Sequence, residues 1–374
     1  MKRLHALDSL RGLAALSIVV WHWQHFQAIS GEWPDDWQRS AQPLYWLLKP
    51  LYDEGWAAVD LFFPLSGFIF FWLYGAAIRE GSIGLGRFAR LRFSRLYPLH
   101  LATLASAAIL QFFFLRATGH FFIYDANDLP HFASGLVMAQ QWLPPTIEQS
   151  FNGPAWSVSV EVLLYGLFFV SARFGFRGVW PALGVAGLGI ALLHWNLFIA
   201  RGVMGFFLGG AVYFLDRRIL KRADAARIAR WVGYAALVLW IVVWIEAYLH
   251  PLHALLPPQS NDDLFLLLFI FGVSPVTILA LALREQVLGA SWERLSFLGD
   301  ISYSTYMLHF PMQLGLALIA AHTALTPDSF ESPLALVAFY AVLIGLGALC
   351  FRFFERPLQN RLRASNRAGD SRGS

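Results

Sequence analysis

Ten apolar stretches, most of them about 20 residues long, fill this sequence and restrict the folds it can adopt. A stretch of that length suits a tilted helix that crosses the hydrocarbon core of a membrane. The stretches do not alternate apolar and polar residues over about ten positions, as strands of a membrane barrel do. The sequence therefore predicts an all-α, polytopic bundle of about ten transmembrane helices. They lie at roughly 12–30, 56–78, 97–116, 156–173, 178–196, 198–215, 231–249, 264–283, 297–322 and 334–354.

The composition excludes several other classes of protein. The 374 residues are 57% hydrophobic, 16% aromatic and 14% charged, whereas a soluble domain is about 25% charged. Disordered chains are polar and poor in aromatic residues, and the single Cys350 cannot form a disulfide within the chain. The first apolar stretch lacks a small-residue cleavage site, so we interpret it as a retained span.

The basic residues are sorted along the chain. With a cytoplasmic N-terminus, 24 of the 28 lysines and arginines fall in inside segments, and only Arg39, Lys49, Arg116 and Arg201 do not. This bias predicts both termini in the cytoplasm, and it explains the pI of 9.3 without nucleic acid. We expect a transmembrane domain over 1–357 and a basic, disordered cytoplasmic tail over 358–374. The turn-rich outside segment 117–155 either folds back over the bundle as a cap or re-entrant piece, or is a plain loop.

Ionisable side chains recur in and just before the first apolar stretch; inside a membrane span such groups are expensive and indicate function by default. Arg11 and His22 lie within about 20° of one helical face and about 16 Å apart along the axis, with Asp8 about 40° from that line. We interpret this line as a reaction path from the cytoplasmic mouth into the bilayer. Alternatively, Arg11 anchors the cytoplasmic end and His22 bonds across helices. His25, nearer the outside, is structural or faces the acceptor.

Two further charged groups invite a chemical interpretation. Asp60, near the outer end of the second stretch, either orients the imidazole of His22 or pairs with an outer arginine or helix end. Arg92 and Arg95 share a helical face, which suits a phosphate group, although cytoplasmic segments are basic in any case.

The fourth and ninth stretches carry polar residues at helical spacing. Glu161, one turn after Ser157, is a catalytic acid, an acceptor ligand or a partner of Arg201. The polar stripe of the ninth stretch is either a pocket wall or a set of helix–helix hydrogen bonds. Its members are Ser302, Tyr303, Tyr306 and His309.

Six short motifs, in order across almost the whole chain, resemble those of the acyltransferase 3 family of integral membrane acyltransferases. One departure is Pro64, where the family more often has a bulky aliphatic residue. The resemblance implies the shorter form of the family, without a fused esterase-like domain. The motifs are Asp8-Ser9-Leu10-Arg11-Gly12-Leu13 with His22, Val59-Asp60-Leu61-Phe62-Phe63 with Leu65-Ser66-Gly67-Phe68, Arg92-Phe93-Ser94-Arg95-Leu96-Tyr97-Pro98, Trp156-Ser157-Val158-Ser159-Val160-Glu161, the stretch 301–311, and Phe353-Phe354-Glu355-Arg356-Pro357.

The resemblance implies an enzyme that moves an acyl group, often acetyl, from cytoplasmic acyl-CoA to a hydroxyl of a cell-surface or lipid-linked carbohydrate. It implies a multi-pass protein of a bacterial inner or plasma membrane, with acyl-CoA as co-substrate and no permanently bound cofactor. His22 is the implied catalytic residue, and we expect Asp60 and Glu161 to assist it. No metal ligand set is evident. We expect donor or substrate binding by Arg11, Arg92, Arg95, Ser66, Trp156, Ser157, Tyr303 and His309.

We hypothesise that His22 acts as general base on the acceptor hydroxyl, oriented by Asp60 or Glu161. An acyl-His22 relay is the rival mechanism. The competing class of protein is a proton-coupled transporter or flippase, although neither inverted repeats nor paired broken helices are evident.

Overall fold

The computed structural model describes residues 3–34, 37–144, 146–251, 264–290 and 292–364. Within these ranges there is no strand, and each predicted apolar stretch coincides with helical structure, which confirms the all-α membrane bundle. The helices are α1 His5–His22, α2 Tyr45–Glu54, α3 Val59–Leu73, α4 Gly75–Arg79, α5 Leu85–Thr118, α6 Leu129–Leu136, α7 Trp156–Arg173, α8 Val179–Ala191, α9 Leu197–Ile219, α10 Ala225–Leu249, α11 Ser274–Leu288, α12 Ser296–Ala320, α13 Pro333–Cys350 and α14 Arg356–Ala364.

Seven helical segments of the described chain are long and apolar enough to cross a membrane. α8 is apolar but shorter, and α1 and α12 are not among the seven because they carry the polar and charged side chains of the candidate site. The number of spans and the side of each terminus therefore stay predictions. The seven segments are Tyr45–Leu73, Leu85–Thr118, Gly153–Arg173, Leu197–Ile219, Ala225–Leu249, Leu264–Leu288 and Pro333–Arg363.

The chain forms two compact units that it visits alternately. Unit 1 contains Met1–Trp21, Lys49–Ile83 and Leu163–Asp300. Unit 2 contains His22–Leu48, Gly84–Val162 and Ile301–Ser374.

In unit 1, α3 and α9 touch backbone to backbone. A Cβ atom on Gly67 would lie 1.8 Å from the carbonyl oxygen of Phe206, and one on Gly209 would lie 2.0 Å from that of Pro64. Such approaches are possible only for glycine, and small residues are a common means of packing transmembrane helices closely. The second and sixth predicted spans therefore pack in direct backbone contact in this unit.

In unit 2, the segment 117–155, predicted to lie outside, folds back over the helices. It contains the short helix α6, and the rings of Phe122 and Tyr124 pack 5.9 and 4.9 Å from that of Phe310 on α12. Of the two interpretations left open for this segment, the structure supports the cap.

Two helix ends differ from the sequence-based boundaries. α5 begins at Leu85, before the predicted span 97–116, so Arg92 and Arg95 lie on the same helix as that span; Pro98 sits within it. At the other end of the chain, α14 extends past the predicted boundary at 357, and Gln359 is buried there. Residues 365–374 of the predicted tail lie outside the described residues.

Candidate active site

Two buried histidines form a pair in unit 2. His22 is the last residue of α1, where the α-helix gives way to the 3-10 turn Trp23–Ala28. Its Nδ1 lies 3.1 Å from Nε2 of His309 on α12. The carbonyl of His22 accepts a hydrogen bond of 2.9 Å from the amide of Gln313, one turn after His309. The imidazole ring and the backbone carbonyl of His22 are thus both held by α12.

The hydrogen bonds of the pair set the tautomers of the neutral rings. His309 Nδ1 contacts the carbonyl of Tyr306, and since a carbonyl only accepts, this nitrogen carries the proton. Nε2 of His309 is then the acceptor, and Nδ1 of His22 donates to it. The lone pair of the His22 imidazole is consequently on Nε2, which is the arrangement that a general base requires.

Aromatic and hydroxyl groups surround the pair. The His25 ring lies 4.8 Å from that of His22, and the Tyr306 ring lies 5.6 Å from that of His309. The Tyr306 hydroxyl donates to the carbonyl of Pro154 at 2.6 Å and lies 2.9 Å from Oγ of Ser157. The polar stripe of the ninth stretch therefore joins His22 to the start of α7. The described residues include no group of three or more His, Cys, Asp or Glu side chains placed to hold a metal ion.

In unit 1, the first motif packs against the start of α12. Arg11 donates to the carbonyl of Gly299 at 2.6 Å and lies 3.2 Å from the carboxylate of Asp8. Arg3 bridges Asp8 and Asp300, at 2.5 and 2.7 Å. The side chain of Arg11 is 24% exposed, so this network stays accessible to a ligand at one end of α1.

Asp60 is paired with Arg201 of α9. Both oxygens of the carboxylate accept from the guanidinium, at 3.1 and 2.6 Å, and both side chains are buried. Of the alternatives for Asp60, pairing with an arginine is the one that the structure contains. Its predicted part in catalysis stays a prediction.

Arg92 and Arg95 are half-buried on α5. Arg95 lies 3.6 Å from the buried carboxylate of Glu355, which also accepts from Ser304 at 2.8 Å. The third and sixth motifs are thereby brought together in unit 2.

The other predicted site residues are placed as follows. Glu161 is half-buried on α7 and Ser66 is half-buried on α3. Trp156 is buried at the start of α7. The hydroxyl of Tyr303 donates to the carbonyl of Leu96 at 2.7 Å, so it holds α12 against α5.

Sequence reasoning missed two contributors. Gln313 holds the carbonyl of His22; its signal was an amide one turn after His309 in an apolar helix. A cavity of about 750 Å³ in unit 1 was also missed. It runs beside Leu10 and Ser17 of α1 and is lined as well by the exposed Arg230 and Arg284.

Comparisons with known proteins point to one family. Protein 2 in the picA locus of Rhizobium radiobacter is 32% identical over 185 residues, which are 47% of this chain and 84% of that protein. Acyltransferase MdmB of Streptomyces mycarofaciens is 32% identical over 167 residues, which are 44% of this chain and 38% of that protein. No solved structure matches the chain. The acyltransferase 3 family profile, described as an acyltransferase domain, matches residues 4–352. The chain therefore belongs to the acyltransferase 3 family and is an acyltransferase with several long apolar helices.

Proposed function

We propose that the protein transfers an acyl group, acetyl in the first instance, from cytoplasmic acyl-CoA to a hydroxyl of an extracytoplasmic carbohydrate. The observation that carries the proposal is the His22–His309 pair, because its hydrogen bonds direct the lone pair of His22 to Nε2. A bacterial inner or plasma membrane is the proposed location.

In the proposed reaction, Nε2 of His22 removes the proton of the acceptor hydroxyl while that oxygen attacks the thioester carbon. The carbon–sulfur bond breaks, and the imidazolium returns its proton to the departing CoA thiolate. His309 accepts from Nδ1 of His22 throughout, and so stabilises the transient positive charge and keeps the ring aligned. His309 orients the His22 ring in this proposal, and the parts of Asp60 and Glu161 stay predictions.

Purified protein in detergent provides the direct test. Addition of acetyl-CoA with a carbohydrate acceptor should release free CoA thiol and give an acetylated product by mass spectrometry. An enzyme that consumes no acetyl-CoA under these conditions, but moves solute across proteoliposomes, would instead support the transporter class.

Arg92→Ala should raise the KM for acetyl-CoA by about tenfold with little change in the KM for the acceptor, because a guanidinium on the predicted cytoplasmic side suits the phosphates of CoA. The initial rate of thiol release measures both constants. Arg87→Ala is the matched control, since Arg87 is exposed on the same helix. An unchanged donor KM in Arg92→Ala would remove this residue from the donor site and direct attention to Arg230 and Arg284.

A further inference from the structure

Unit 2 contains a small polar chamber whose residues take no part in the proton and acyl transfers proposed above. Its lining includes His100 of α5, His131 of α6, Gln140, Asn152 and Trp156, all at least nine-tenths buried. The enclosed space is about 10 Å³. That is about the room that one water molecule or one hydroxyl group needs.

Three of the lining side chains use their N–H groups on backbone carbonyls. His100 Nε2 bonds to Gly135 at 2.8 Å, Gln140 Nε2 to Ala155 at 3.0 Å, and Asn152 Nδ2 to Met307 at 3.1 Å. Because carbonyls only accept, these nitrogens carry the hydrogens. The remaining polar atom of each side chain is an acceptor. These three atoms, His100 Nδ1, Gln140 Oε1 and Asn152 Oδ1, are buried and make no hydrogen bond within the described chain.

His131 adds a fourth acceptor. Its backbone amide and its Nδ1 both bond to the carboxylate of Asp128, at 2.9 and 2.6 Å. These two bonds hold the pKa of the Asp128 carboxyl below its usual value, so the group is ionised at neutral pH. Nδ1 of His131 is therefore the donor, and in the neutral ring the buried Nε2 is an acceptor that makes no bond to any described residue.

Four buried acceptors that make no hydrogen bond within the described chain favour a ligand group that donates. An anion would be repelled by these acceptors, and the described lining contains no carboxylate to neutralise a cation. A hydroxyl fits the size and the neutrality, and it can donate its single hydrogen to one of these acceptors. The indole of Trp156 supplies the apolar wall that ligand pockets usually pair with a few polar groups.

We infer that this chamber binds one hydroxyl of the carbohydrate acceptor and so selects and positions that substrate. The inference rests on the proposed transfer to a hydroxyl. The chamber is tied to the helical turn of the histidine pair, because Asn152 bonds to Met307 and Ser157, next to Trp156, bonds to Tyr306. The arginine bias predicts that its segment, 117–155, faces the extracytoplasmic side.

Binding can be measured without turnover. Saturation-transfer NMR on the purified full chain, without acyl-CoA, should detect methyl glucoside, methyl galactoside or methyl N-acetylglucosaminide. We expect His131→Phe and Gln140→Met each to weaken the bound glycoside by about tenfold. His322→Phe should bind as the unmodified protein does, because His322 is exposed and outside the chamber. His131→Phe loses only one bond to an exposed aspartate, and its backbone cap remains.

A ligand-side series tests the inference even if a variant fails to fold. Among analogues of the bound glycoside that each lack one hydroxyl, a single position should account for the loss of binding. Four results would each overturn the proposed role of the chamber. They are equal binding by all analogues, equal binding by folded His131→Phe and the unmodified protein, stronger binding of ethanolamine than of any glycoside, and no glycoside binding. Glycoside binding without any turnover of acetyl-CoA would overturn the proposed function instead.

Discussion

His22→Ala should reduce acyl transfer by at least about 10³-fold while the protein still accumulates in the membrane. General base catalysis by a positioned side chain contributes about 10²–10⁴-fold to the rate, and alanine also removes the partner of His309. Release of CoA thiol from acetyl-CoA measures the loss. Because only the end of a helix is affected, the gel-filtration profile in detergent should not change. Normal transfer by His22→Ala would refute the mechanism.

Variants of His309 separate orientation from simple packing. His309→Ala should lower kcat and leave the donor KM unchanged, because the residue contacts the base and not the thioester in our proposal. His309→Gln keeps an oxygen that can accept from His22, so it should recover part of the lost kcat. His322→Ala is the control for removal of an exposed histidine. If Ala and Gln at 309 are equally active, orientation by hydrogen bonding is not the role of this side chain.

The mass of the intact protein distinguishes direct transfer from a relay through an acyl-histidine. Incubation with acetyl-CoA and no acceptor should leave the mass unchanged if the hydroxyl attacks the thioester directly. A mass gain of one acetyl group that His22→Ala abolishes would establish the relay.

Either Asp60→Leu or Arg201→Met alone should destabilise the protein strongly, whereas the double variant should be close to the unmodified protein. Removal of one partner of a buried ion pair costs about 3–5 kcal/mol, but replacement of both by apolar groups is often neutral. The two residues form such a buried pair, because the side chains of Asp60 and Arg201 are only 1% and 8% exposed. The apparent Tm in detergent, followed by tryptophan fluorescence, gives the comparison.

Activity of the same double variant decides what Asp60 does. If the carboxylate is structural, the double variant is stable and active. If the carboxylate assists His22, the double variant is stable and inactive. Ala76→Leu in α4, where the side chain is exposed, provides a matched surface control. Two single variants as stable as the unmodified protein would show that the pair does not hold α3 to α9.

The apolar pattern predicted where helices lie because a membrane span must satisfy its backbone within one segment. It could not predict that α1 changes to a 3-10 turn after His22, since the groups that bond to this end, Gln313 and His309, lie nearly 300 residues away in the sequence. Arg201 was only one of several partners that sequence reasoning could offer. Its choice of Asp60 depends on the approach of α3 to α9, which a single sequence does not reveal.

Motif resemblance located most residues of the candidate site, but not their partners. His309 appeared as one member of a polar stripe, and only the structure pairs it with His22. The sixth motif contains Glu355 but does not indicate its partners. In the structure its carboxylate contacts Arg95 and Ser304. The chamber could not be predicted from the sequence, because its acceptors come from separate segments. They can be identified as acceptors without partners only once the hydrogen bonds of each side chain are known.

The α3–α9 contact also has a mechanical consequence. Arg201, Gly205 and Gly209 follow one another at four-residue intervals on α9, and they meet Asp60 and Pro64 of α3 through an ion pair and two close approaches. A slide of one helix along the other by one turn, about 5.4 Å, would drive side chains into backbone at the glycine positions and separate the buried charges. The two helices are therefore held in register and form one rigid pair. Any rearrangement during turnover in unit 1 has to move other helices relative to this pair.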